Sequence, residues 1–280
     1  MVSTVLALGA ALAWGVSDFM GGVASRRLPL LWVLLFTQFV GFAIVMPFAL
    51  VRGAPPFDVN AVLAAVLGSL SGLVGIAGLY RAIALGVGSI AAPISATGAA
   101  LPVLFGLARG EPTSTLQEVG MACALAGVIA ASRTGQEQAH LGPNARLGIA
   151  CAVVAAFGFG GFFILLHEAS TQDVLWAVAV QRATGFLVLA LLVLVRRPPL
   201  AMRWRDLPTL ALVGSLDQLA NVLYGFASTL GLVSLSAVLA SLYPMVTVIL
   251  ARVVLDERIS RVQTSGVALA LTGVALVAGH

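Results

Sequence analysis

Three formal charges sit well inside the apolar stretches of this 280-residue chain: Asp18, Arg182 and Asp217. An ionised carboxylate near the middle of a bilayer-spanning helix costs at least ~2.5–3.5 kcal/mol on insertion scales, so such residues need a partner or a task. Asp217 belongs to Gly214-Ser-Leu-Asp217-Gln218-Leu-Ala-Asn221-Val-Leu-Tyr224, inside an apolar run from Leu207 to about Thr229. Asp217, Asn221 and Tyr224 are spaced i, i+4, i+7 and share one helical face, with Gln218 beside them. Asp18 follows Trp14 by four residues, which puts carboxylate and indole on one face. Arg182 follows Gln181 in a third apolar run. One buried Asp–Arg pair that fixes helix register is one account of these charges. It leaves a second carboxylate over. That group would be protonated, exchange a proton, or meet a cationic group of a ligand, so Asp18 and Asp217 are candidates for proton coupling.

Trp14, Tyr80, Tyr224 and Tyr243 combine an aromatic body with a polar edge. They can stack on an organic substrate or cation, or fill the core with a satisfied hydroxyl or N–H. Gln38 joins them, and its repeat relation to Gln181 points to hydrogen bonding between helices. The candidate binding set is thus Trp14, Asp18, Gln38, Tyr80, Arg182, Asp217, Gln218, Asn221, Tyr224 and Tyr243.

Enzyme chemistry finds no comparable support. His140, His167, Glu168 and His280 have no metal-ligand partners at useful spacing. The chain has no Ser/His/Asp set, phosphate loop or His-Glu-x-x-His motif. Neither a cofactor nor a metal is implied. Cys123 and Cys151 lie within apolar runs and read as small buried residues.

Composition says what must position the charges. The chain is 60% hydrophobic and only 9% charged, with mean hydropathy +1.06, where a soluble protein would carry roughly 25% charged residues. It reads as an all-α polytopic membrane protein with the lipid bilayer as a partner; a small-molecule substrate is expected only with the transporter reading below. The net charge of +4 comes from Arg in short loops and does not point to nucleic acid. Apolar runs long enough to cross a bilayer recur ten times. They are roughly Val2–Val23, Leu30–Val51, Asn60–Ala82, Gly88–Leu107 and Leu116–Ser132, then Arg146–Leu166, Val174–Val195, Leu207–Thr229, Val233–Val254 and Val262–Ala278. The first run reads as a span and not as a removed signal peptide.

The second five spans repeat the first five. At an offset of 146, Ser95 meets Ser241, Glu111 meets Glu257, Ser114 meets Ser260, Gln117 meets Gln263, and Gly120 and Gly127 meet Gly266 and Gly273. At an offset of 143, Gly15 meets Gly158, Gln38 meets Gln181 and Pro55-Pro56 meets Pro198-Pro199. The expected units are 1–134 and 146–280, joined by a loop over 135–145 that carries Gly142 and Pro143. An odd number of spans per unit makes the second copy enter from the opposite side. The expected fold is therefore ten transmembrane helices as two inverted five-helix repeats, with a site near the midplane between them. Asp217 meets Ser71, so the fold itself does not demand a carboxylate there. The connections after odd-numbered spans carry twelve Arg and those on the other side only Arg52 and Arg109. That bias places the odd connections in the cytoplasm and both termini outside. Gly68, Gly72 and Gly75, Gly158, Gly160 and Gly161, and Gly266 and Gly273 are positions where helices can approach closely.

With these features in place, the chain resembles the drug/metabolite transporter superfamily, specifically the bacterial EamA-type ten-span exporters. The resemblance rests on Ala13-Trp14-Gly15 with Phe19, Tyr80-x-Ala82, and the Gly110-Glu111 and Asp256-Glu257-Arg258-Ile259-Ser260 turns. Each turn leads into Gln-x-x-Gly and a second Gly. It implies alternating access, a multi-pass location in the bacterial inner membrane, and export of amino acids or other small organic metabolites. Asp18 departs from the general pattern, which is uncharged there. The span-four Pro102 is shifted relative to Pro244 of span nine. The family pattern is drawn with cytoplasmic termini, against the Arg count.

The resulting expectation is a secondary transporter that exports a small polar or cationic metabolite in exchange for protons. The rivals are uptake or exchange of a sugar or nucleotide-sugar type substrate, and a non-transporting membrane scaffold. Monomer and homodimer are equally compatible with the sequence.

Overall fold

The computed structural model describes residues 1–25, 27–53, 58–132, 144–199, 202–254 and 260–278. These residues form helices joined by short connections, with no strand among them. In chain order the helices are α1 (Val2–Ser25), α2 (Leu30–Val51), α3 (Val59–Ala82), α4 (Gly88–Ala96), α5 (Ala100–Ala108) and α6 (Thr115–Ala131). The second half supplies α7 (Ala145–Ser170), α8 (Val174–Arg196), α9 (Leu207–Leu230), α10 (Val233–Ala240), α11 (Tyr243–Val254) and α12 (Arg261–Ala278). Eight helices or joined helix pairs are long and apolar enough to cross a membrane. The remaining two, α6 and α12, are shorter, at 17 and 18 residues. At 1.5 Å per residue they still reach roughly 26 Å, close to the hydrocarbon thickness.

Spans four and nine are each broken in two. A 3₁₀ turn over Thr97–Ala99 separates α4 from α5, and a two-residue turn at Ser241 and Leu242 separates α10 from α11. In span nine the cause is Pro244, which sits in the first turn of α11, where its missing N–H is harmless. In span four Pro102 lies in the first turn of α5 and cannot bond to the Gly98 carbonyl four residues back, where Gly98 also packs so close to α7 that a Cβ would meet the Ala156 carbonyl. The breaks match across the repeat although the prolines do not.

Helix starts are fixed locally. Ser114 and Gln117 form a reciprocal capping box on α6, and Ser260 and Gln263 repeat the same pair of bonds on α12. Asp58 and Asp173 cap α3 and α8 by accepting from Asn60 N and Trp176 N.

The two halves interlock in a way that is unchanged when they are exchanged. α3 packs on α7 and, equivalently, α9 packs on α1; α2 pairs with α8 and α6 with α12. Small residues make this possible. At the α6–α12 crossing, a Cβ on Gly127 would lie 2.6 Å from the Gly266 carbonyl oxygen, and Gly120 faces the Gly273 carbonyl. This is the architecture of two inverted five-helix repeats. The connecting segment 135–143, Pro55-Pro56 and the turn 256–259 lie outside the described residues, as do His140 and His280. Below, "terminal face" denotes the side bearing both chain ends, and "Arg-rich face" the side bearing the α1–α2 connection.

Candidate cavity between the halves

α1, α2, α3, α7, α8, α9 and α11 enclose a cavity of ≈ 380 Å³. Its mouth is lined by Gly22, Ser25, Leu30 and Tyr80, at the Arg-rich ends of their helices. Its deep end reaches Phe163, Asn221 and Tyr243 near mid-span. At the terminal face α5 packs against α10, and no comparable packing joins α4 to α11 among the described residues. The cavity is therefore open toward the Arg-rich face and closed toward the other.

One buried cation organises the cavity wall. The Arg182 side chain is only 4% exposed. Its Nη1 donates to Asp217 Oδ2 at 2.6 Å and to Gln38 Oε1 at 3.0 Å, and its Nε donates to Gln218 Oε1 at 2.9 Å. Gly41 makes room for this group; a Cβ there would stand 3.1 Å from both Arg182 Nε and Gln218 Oε1. The second oxygen of Asp217 accepts from Trp14 Nε1 at 3.1 Å. Four helices, α1, α2, α8 and α9, are thereby tied through one guanidinium and one carboxylate. Further hydrogen bonds help hold this buried pair, although Arg182 Nη2 and Gln218 Nε2 are buried without a partner among the described residues. Ser71, the repeat counterpart of Asp217, donates instead to the Gly158 carbonyl at 2.8 Å. The two positions do the same packing work at α3–α7 and α9–α1, and only the second carries charge.

Around this pair lies an aromatic wall. Trp14 meets Phe162, Phe163, Tyr224 and Tyr243 at centroid distances of 5.6–6.2 Å, mostly edge-on. Phe159, Phe162, Phe163, Tyr80 and Tyr243 face the cavity with Trp14. Asp18 also lines the cavity, one turn nearer the mouth than Trp14. Among the described residues, none hydrogen-bonds to or forms an ion pair with its carboxylate. The space thus has an aromatic floor, a neutralised Arg–Asp pair on one wall and a further carboxylate on another.

Of the residues singled out by sequence, Trp14, Asp18, Gln38, Tyr80, Arg182, Asp217, Asn221 and Tyr243 come together on this cavity. Gln218 and Tyr224 do not. Gln218 turns its amide oxygen to Arg182 and is 2% exposed. Tyr224 is fully buried and donates its hydroxyl to the Phe163 carbonyl at 3.0 Å. Asn221 Nδ2 is used on the Asp217 carbonyl at 2.6 Å, which leaves its Oδ1 without a partner. Gln181, Ser17 and the phenylalanines of α7 line the cavity but were not among the sequence candidates. The spacing of Phe159, Phe162 and Phe163 on one helical face, beside Gly160 and Gly161, is the signal that could have found the aromatic floor.

A bundle of inverted repeats around a half-open central cavity defines a class, the multi-pass membrane transporters. The chain matches the profile of the EamA-like transporter family over residues 1–133 and again over 146–279. It belongs to that family. A solved crystal structure superposes on it with a TM-score of 0.81 at 19% identity, covering 99% of this chain and 98% of its own. At that identity the likeness is one of fold alone. No curated protein matches the chain in sequence.

Proposed function

We propose that this transporter is a secondary active exporter of a small organic compound carrying a positive charge, exchanged against protons at Asp18. The supporting observation is the division of labour between the two carboxylates. Asp217 is held by Arg182 and Trp14, so its charge is already balanced. Asp18 faces the cavity with no such partner among the described residues, which leaves the site one negative charge in excess when both carboxylates are ionised. A cationic ligand balances that charge, and a proton does the same in its absence. The two occupants then exclude each other, which is the condition for exchange. The floor of Trp14, Phe159, Phe162 and Tyr243 suits the apolar body of such a ligand and adds cation–π attraction. Proton exchange at Asp217 would require its bond to Arg182 to open during the cycle.

The remaining readings follow from charge placement. The Arg-rich face is assigned to the cytoplasm of a bacterial cell and the protein to its inner membrane. The structure then corresponds to the state that loads substrate from inside, as export requires. The units 1–134 and 146–280 are assigned as the two repeats, whose helices interlock around the cavity.

A thermal-shift screen of purified protein against small amines and amino-acid-like compounds selects the substrate. Radiolabel flux into proteoliposomes under an imposed proton gradient then tests the reading. Asp18→Asn is expected to fold and insert but to abolish gradient-driven flux. Undiminished flux in that variant would remove Asp18 from the mechanism.

A further inference from the structure

Among the described residues, three polar ties on the terminal face cross from one half to the other. Arg52 Nε lies 3.0 Å from Asp173 Oδ2, and Arg109 Nη2 lies 3.4 Å from Glu168 Oε1. Both arginine side chains are more than half exposed, at 55% and 62%, so water screens these pairs and they contribute little.

The third tie is of another kind. The Glu111 carboxylate accepts from the backbone N–H groups of Val233 and Ser234 and from the Ser234 hydroxyl. Val233 and Ser234 are the first two residues of α10, so the carboxylate satisfies orphan donors and faces the positive end of the helix dipole. Hydrogen bonds to a charged acceptor are the strong ones.

Two backbone features aim Glu111 at α10. α5 ends with Gly110 in the left-handed region, at φ 76°, and the Glu111 N–H returns to the Gly106 carbonyl at 3.1 Å. This glycine-ended reversal folds the chain back on its own helix. Gly106 supplies the space: a Cβ there would take the place of the Glu111 carboxylate and stand 3.1 Å from Ser234 Cβ.

α10 is also the segment a gate would have to move. It is the terminal-face piece of the broken ninth span, and α11, beyond its break, begins with the cavity residue Tyr243. We infer that Glu111 is the latch of the terminal-face gate. Its carboxylate holds α10 against the first half while the cavity is open at the Arg-rich face, and it releases α10 when the cavity opens the other way. Glu111 acts as a positioning residue, since it does not line the cavity.

The inference rests on the alternating-access reading but not on the identity of the substrate or on proton exchange at Asp18. Its test therefore reads distance and not flux. In a background with Cys123 and Cys151 replaced by Ala, spin labels are placed at Thr115→Cys, beside Glu111, and at Leu230→Cys, at the entry to α10. Both positions are exposed, on the terminal face, and in different halves. Electron-spin distance distributions are recorded in lipid nanodiscs for the parent, Glu111→Ala, Glu111→Gln, Gly106→Ala and Arg52→Ala. Loss of a charged acceptor serving two backbone donors is expected to raise the ratio of long to short distances about tenfold in Glu111→Ala. Gly106→Ala, which keeps the carboxylate but fills its space, is expected to do the same. Glu111→Gln, which keeps one acceptor oxygen, should fall between, and Arg52→Ala should match the parent. Should Glu111→Ala fail to fold, Gly106→Ala carries the test with Glu111 intact. A long-to-short ratio that stays at the parental value in both Gly106→Ala and Glu111→Gln would overturn the latch.

Discussion

The Arg182–Asp217 pair makes a sharp quantitative demand. Replacing Asp217 by Asn keeps the shape and removes the charge that balances a guanidinium only 4% exposed. Breaking a fully buried pair from one side costs about 3–5 kcal/mol. Two features lower that here. Asp217 is 27% exposed, toward the cavity, and Arg182 keeps the carbonyl oxygens of Gln38 and Gln218. The expected loss is therefore about 2–3 kcal/mol. Arg182→Gln should cost a similar amount, because Asp217 then faces the cavity with only the Trp14 N–H. The double variant leaves neither charge unpaired, so its loss should be smaller than the sum of the two by about 1–3 kcal/mol. The assay is thermal and denaturant unfolding of the parent, both single variants and the double variant in one detergent. Strict additivity, or an Asp217→Asn variant as stable as the parent, would refute the pair as a structural tie and return Asp217 to the role of a free exchanging carboxylate.

Other consequences are independent of that cycle. Trp14→Phe keeps the aromatic contacts but removes the donor to Asp217, so it should lower stability by about 1.5 kcal/mol or more in the same unfolding assay. A reporter active only in the periplasm should work when fused after His280; strong activity of a cytoplasm-only reporter there would reverse the assigned orientation and leave the fold intact. Glu111→Ala and Gly106→Ala should open the terminal face in the distance measurement, whereas removal of the exposed Arg52–Asp173 pair should not.

Apolar run length and the 146-residue repeat make the helices and their inverted pairing legible in the sequence. Run length reports what must leave water, and that is a property of each segment alone. The breaks in spans four and nine were less legible. Pro102 and Pro244 fall at different repeat offsets, so the repeat alone does not place both breaks, although each proline ends up in the first turn of the helix after its break. The site divides in the same way. Three intramembrane charges with two carboxylates had to leave one over, and the sequence stated that much. Which carboxylate Arg182 takes depends on where α8 and α9 meet. The shared face of Asp217, Asn221 and Tyr224 is real, but a face seven residues long turns from cavity to neighbouring helix, and Tyr224 ends against α7. Gln218, one residue round from Asp217, was drawn to the guanidinium instead of the cavity. The phenylalanines of α7 escaped notice because an apolar residue on a cavity wall has the same sequence signature as one in the core.

Exchange between an organic cation and a proton at Asp18 is the step on which the proposed transport cycle depends. Proteoliposomes loaded with the screened substrate and a pH-sensitive dye test it directly on dilution into substrate-free buffer of equal pH. As substrate leaves down its gradient, the parent protein should carry protons inward and acidify the interior, while Asp18→Asn should show no acidification. Substrate efflux through the parent without any change in interior pH, or parental acidification in Asp18→Asn, would contradict the account.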